Sequence, residues 1–200
     1  MAYRKTFDPQ QYRLRVKPTQ QAEEDYQKSN ANPSLPKHRP LLKRFGLALM
    51  DSPDSPERRE DAAQRLVDHV CGQMGIPNVE VRVMESRSPH TTDRNGFLRS
   101  RKGGDYAHAD GGGVRILLWN LTPMRGSRIS GKTLLRTLCH ELTHHIDVVG
   151  LGIETSPHTA GFYARTNELS DILAGRIEDA RKASENATVG AETVAAGQSR

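Results

Sequence analysis

The chain has 200 residues, 35% of them hydrophobic, a mean hydropathy of −0.68 and a formal net charge of +5. No apolar run approaches the roughly 18–20 residues that span a bilayer, and Met1-Ala2-Tyr3-Arg4-Lys5 turns polar at once, so no membrane partner or signal segment is expected and the location is expected to be cytoplasmic. Cys71 and Cys139 fall on separate predicted helices and read as reduced thiols, not as a disulfide framework.

Residues 1–50 carry ten Lys/Arg against four Asp/Glu, and prolines recur at 9, 18, 33, 36 and 40. That composition predicts a mostly disordered basic arm over 1–52, with 41–50 as a short docking helix. Lys37, Arg39, Lys43 and Arg44 either contact nucleic acid or only solubilise the arm. A single α+β domain is expected over 53–183, and the small polar residues of 184–200 predict a disordered tail.

Ser55-Pro56-Glu57 supplies a cap, a first-turn proline and an acid, so a helix is predicted to run to Met74 and stop at Gly75. Val79-Glu80-Val81-Arg82-Val83-Met84 alternates as a half-buried strand does. Residues 86–104 read as a loop, 105–109 as a short strand and Val114-Arg115-Ile116-Leu117-Leu118-Trp119 as the strongest strand of the chain. Trp119 either lines a cleft or packs in the core. His108 is an outlying site candidate.

Residues 133–147 hold His140-Glu141-Leu142-Thr143-His144, a His-Glu-x-x-His motif. On a helix, residues four apart share a face, so His140 and His144 can present two imidazoles to one ion. Leu134, Leu135, Leu138, Leu142 and Ile146 fall on the opposite side, which predicts a helix with one apolar and one ligating face. Zn²⁺ accepts imidazole nitrogen in tetrahedral geometry, and Glu141 stands where a general base for a water would be needed. His145 points toward the apolar side and reads as structural, and Cys139 as a small buried thiol. Asp147 or Asp171 is a candidate to accept the second N–H of a ligating histidine.

The third ligand is open between His158 and Glu168. Ser156 and Pro157 read as the cap and first turn of a second helix, which puts His158 at its start and within reach of the metal. Asn167-Glu168-Leu169-Ser170-Asp171 is similar to the segment by which thermolysin-type enzymes supply a glutamate, although with a different spacing.

The run from His140 to Phe162 resembles the SprT-like zincin metallopeptidases, whose pattern is His-Glu-x-x-His, about thirteen residues, then His-Gly-x-x-Phe. Here Thr159 replaces that Gly, and a Gly stands at 161. The resemblance implies zinc ligands His140, His144 and His158, the base Glu141 and a minimal zincin-like fold: an N-terminal helix, a small mixed or antiparallel sheet, the motif helix and a C-terminal helix. It also implies that 114–119 is the sheet edge on which a protein or peptide substrate adds as a further strand. Residues 87–140 carry ten Lys/Arg against three Asp/Glu. With the basic arm they form a candidate nucleic-acid surface, as in relatives that process DNA–protein crosslinks, although this chain has no four-cysteine ribbon. A metal that only closes a helix pair is the remaining alternative.

Overall fold

The computed structural model describes residues 19–87, 90–92, 98–101, 103–108 and 113–176. It is an α+β protein whose described residues form five helices, a three-stranded mixed sheet and a separate two-stranded antiparallel pair. In chain order these are α1 (Gln20–Ala31), α2 (Lys43–Met50), α3 (Pro56–Met74), β1 (Glu80–Arg87), β2 (His90–Thr92), β3 (Leu98–Arg101), β4 (Gly104–His108), β5 (Val114–Leu121), α4 (Gly131–His145) and α5 (Ala160–Leu173). A π turn, Ile146–Gly150, continues α4.

Helix α3 forms as its sequence directs. Ser55 caps it by accepting from the Arg58 N–H, and Gly75 ends it at φ 68°, a left-handed conformation that glycine adopts without a Cβ penalty. Its Ala63, Leu66, Val67 and Val70 are fully buried. They meet the sheet and the Leu134, Leu135, Leu138, Leu142 and Ile146 face of α4, all within one core cluster.

The sheet order is β1-β5-β4, with β1 parallel and β4 antiparallel to β5. The expected edge at 114–119 is therefore wrong: these residues lie on the central strand. Ile116 and Leu118 are fully buried and pair in register with Val81 and Val83 of β1. Trp119 is half-buried on β5 and does not border the cleft described below.

The two true edges differ. On β1 the outward N–H groups of Val81 and Val83 donate to Gln64 and Glu60 of α3, at 2.8 and 2.9 Å, and Gln64 donates in turn to the Val79 carbonyl. Side chains thus cover that edge. Strand β4 pairs only with β5 among the described residues.

The predicted disordered arm is corrected for residues 19–52, which are folded; 1–18 lie outside the described residues. Leu35, Leu41 and Leu49 join the core, and α2 crosses α5 so closely that a Cβ on Gly46 would collide with the Leu173 carbonyl. Helix α1 is held by polar groups instead. Asp25 and Ser29 are buried, and a Cβ on Gly161 of α5 would collide with the Ser29 carbonyl. Hydropathy does not register such docking, because buried polar groups paired to each other carry no apolar signal. Residues 177–183 of the expected domain and the tail 184–200 lie outside the described residues.

Candidate metal centre

Helix α4 starts at a Ser130 cap that accepts from the Thr133 N–H and runs through the His-Glu-x-x-His motif. The chain then turns through Ile146–Gly150 and a loop before α5. The predicted cap at Ser156 is displaced: Thr159 caps α5 by accepting from the Phe162 N–H. His158 thus lies just before the helix, and Ser156 is left for another task.

The structure brings His140, His144 and His158 together, with one ring nitrogen of each within 4.8 Å of the others. His158 Nε2 stands 3.0 Å from both His140 Nε2 and His144 Nε2. Zinc–nitrogen bonds of about 2.0–2.1 Å at tetrahedral angles need donors about 3.3 Å apart, so this spacing fits one small cation. Phe162 is fully buried beneath the cluster, its ring centroid 5.0, 4.5 and 4.9 Å from those of His140, His144 and His158. Glu168 is elsewhere, its carboxylate accepting from the Leu35 N–H at 2.8 Å. Asp171 pairs with Arg176.

Hydrogen bonds behind the cluster fix which nitrogen of each neighbouring histidine is free. Arg165, fully buried, donates to both Asp147 oxygens, Nε to Oδ1 at 2.9 Å and a terminal nitrogen to Oδ2 at 2.8 Å. The Ser156 hydroxyl donates to Asp147 Oδ2 at 3.1 Å. Its proton being committed, its oxygen accepts from His144 Nδ1–H at 2.8 Å, which leaves the His144 Nε2 lone pair facing the cluster. Asp147 was expected as a direct partner and acts through Ser156. No sequence signal marks Ser156 for this role. It sits at φ 36°, in the left-handed region, a conformation that costs a non-glycine residue about 1–3 kcal/mol and recurs at functional sites.

His145 takes the opposite tautomer. Its Nε2–H donates to the Pro77 carbonyl at 2.8 Å, and its Nδ1 accepts from the Tyr106 hydroxyl at 3.1 Å. Both nitrogens are used and the ring is buried, so it has no lone pair to offer. Cys139 is also fully buried, and burial pushes its thiol up to about 12.

Helix α1 holds the loop that carries His158. Asp25 accepts from the Thr155 N–H and hydroxyl at 2.7 and 2.9 Å, and Lys28 donates to the Gly152 carbonyl at 3.0 Å. Ser29 pairs with the Thr159 hydroxyl at 2.7 Å. Arg165 reaches the Ser29 and Asn32 carbonyls at the end of α1.

Glu141 is buried against β4, where its carboxylate lies so close that a Cβ on Gly104 would come within 2.7 Å of Oε1. A cleft of about 900 Å³ opens over the motif, bordered by Gly103 and Gly104 on one wall, by Arg136 and Thr137 on the other, and by Tyr163. Tyr163 is 49% exposed and stacks on His158 at 5.8 Å. Side-chain positions over 88–102 and at His108 lie outside the described residues, and with them four of the ten basic residues of the strip.

Burial draws the His140 imidazole down to about 4, with His158 beside it adding to the fall. Burial takes His144 to about 3, with His140 and His158 contributing, and desolvation lowers His158. At neutral pH all three are therefore neutral donors. Because the unfolded chain binds these protons at the ordinary value of 6.5 and the folded chain resists them, the unfolded state gains protons as pH falls below about 6.5. The metal-free protein should melt at a lower temperature at pH 5 than at pH 7.5. Equal melting temperatures would contradict the buried, neutral cluster.

The chain matches no family model, no curated protein and no solved structure. Fold and site together define an α+β protein with three histidines placed to bind a metal. No helix among the described residues is long and apolar enough to cross a membrane.

Proposed function

We propose that the protein is a zinc-dependent endopeptidase of zincin type, similar to the SprT-like group. The observation that carries this reading is the convergence of three imidazole Nε2 atoms beside a buried carboxylate, next to a sheet edge that the described strands leave unpaired. His140, His144 and His158 would hold the ion, and the Arg165–Asp147–Ser156 chain would keep His144 in the ligating tautomer. Zinc bound there would polarise a scissile carbonyl and bring the pKa of a coordinated water from about 15.7 toward 7.

Glu141 then takes a proton from the attacking water and passes it to the leaving amine. The outer side of β4 orients the substrate: an extended peptide adds there as a further strand beside 103–106. The resemblance implied an edge strand for this purpose at 114–119; in this reading β4, which pairs directly with that strand, serves instead.

A purely structural metal is the weaker reading. Glu168 is engaged with Leu35 and so does not close a fourth position, while a wide cleft reaches the histidines. The test is hydrolysis of casein or unstructured peptides by zinc-loaded protein. Activity that chelation removes and added Zn²⁺ restores is expected; no hydrolysis by protein shown to hold one zinc per chain would refute the reading.

A further inference from the structure

We infer that the cleft selects peptides by charge, taking an extended segment with an acidic side chain toward Arg136 and a basic one toward Glu154, on opposite sides of the histidines. The extended form of that segment rests on the peptidase reading; the charge pattern comes from separate residues.

The cleft over the motif and a second, of about 350 Å³, adjoin at Asp105, Glu141 and His144, which line both, and together they are treated as one trough. Strand β4 runs along it beside α4: a Cβ on Gly103 would touch Thr137, Gly104 lies against Glu141, and Tyr106 bonds His145. Position along β4 therefore corresponds to position along α4, and a peptide on the outer edge of β4 follows the same axis.

The ends of the trough differ in sign. Arg136 lines one end, and its place on α4 one turn before His140 puts it about 6 Å back along the helix. That is about two residues of an extended chain. Lys132 stands one turn further out on the same face and is exposed, as is Arg136. The second cleft is lined by the exposed Glu154, while Asp105 borders both clefts.

Arg136 and Glu154 have no ion pair among the described residues. Some exposed charges elsewhere are neutralised within the chain, as in Arg65–Asp61, Arg82–Glu80, Arg128–Glu85 and Arg176–Asp171. Two unneutralised charges of opposite sign, at the two ends of a trough whose centre is the candidate metal centre, favour a ligand with the complementary pattern and penalise its reverse.

The experiment measures binding, by fluorescence anisotropy, of labelled ten-residue peptides to full-length, zinc-loaded Glu141→Gln protein. One peptide carries Lys before and Asp after its centre, one has the reverse order, and one is uncharged. One of the two charged orders is expected to bind about fivefold tighter than the uncharged peptide, since each partly exposed ion pair contributes roughly one- to fivefold. The advantage should shrink in 0.5 M salt. Arg136→Glu should abolish the preference for Asp and shift it to a peptide with Lys at that position.

Equal binding of all three peptides, binding of none, or a preference that survives Arg136→Glu overturns the inference. If wild type hydrolyses all three while binding is equal, charge selection fails and the peptidase reading stands. If wild type hydrolyses none while an Arg136-dependent preference is seen, the peptidase reading fails and the trough is a charge-selective peptide site.

Discussion

Replacing Glu141 by Gln is expected to lower peptide hydrolysis by about 10²–10⁴-fold, the usual contribution of a positioned general base. The amide keeps the shape of the side chain and its fit against Gly104, where a larger change would disturb β4. It cannot accept a proton, so the loss should fall on kcat, with KM little changed. His144 takes its tautomer from Ser156, and zinc stoichiometry should stay at the wild-type value. Steady-state kinetics and metal analysis on the same preparation check both halves. A variant that binds zinc and retains wild-type turnover would remove Glu141 from the mechanism.

A second large effect is expected at Arg165, on stability. Arg165 and Asp147 are both fully buried, and burial alone raises the Asp147 carboxyl, with the Arg165 hydrogen bonds and the Ser156 hydroxyl opposing that rise. Arg165→Met leaves a buried carboxylate without its cation, a change that costs about 3–5 kcal/mol. It also frees the end of α1, whose Ser29 and Asn32 carbonyls lose their donor. Urea unfolding measures the first effect. The second appears as weaker zinc binding, by about 10–100-fold, because His144 loses the support that fixes its tautomer. Asp147→Asn in the Arg165→Met background should recover part of the stability by removing the stranded charge. A fall in stability without any change in zinc affinity would show that the chain from Arg165 to His144 supports packing only.

Much of this architecture is legible in the sequence where apolar phasing does the specifying. Helix α4 is read from Leu134, Leu135, Leu138, Leu142 and Ile146, and that same phasing puts His140 and His144 on the other face. Helix α3 is read from its Ser55 cap and terminal Gly75, and β1 from its alternation. What escaped is specified by pairing between distant polar groups. Helix α1 docks through Asp25, Ser29 and the Arg165 network, which look like solvated residues in a basic arm. Strand order escaped too, since a sequence run shows that a strand exists and not which neighbours flank it. Ser156 looked like a helix cap because Ser-Pro is a common helix start; only its three-dimensional place between His144 and Asp147 reveals its use.

Titration calorimetry of the metal-free protein with Zn²⁺ tests the three-histidine centre most directly, with single replacements of His140, His144 and His158 by Ala and of Glu168 by Gln. One ion per chain is expected in the wild type and in Glu168→Gln, and loss of that binding in each histidine variant. No zinc uptake by the wild type, or uptake that His158→Ala leaves intact and Glu168→Gln removes, would contradict it.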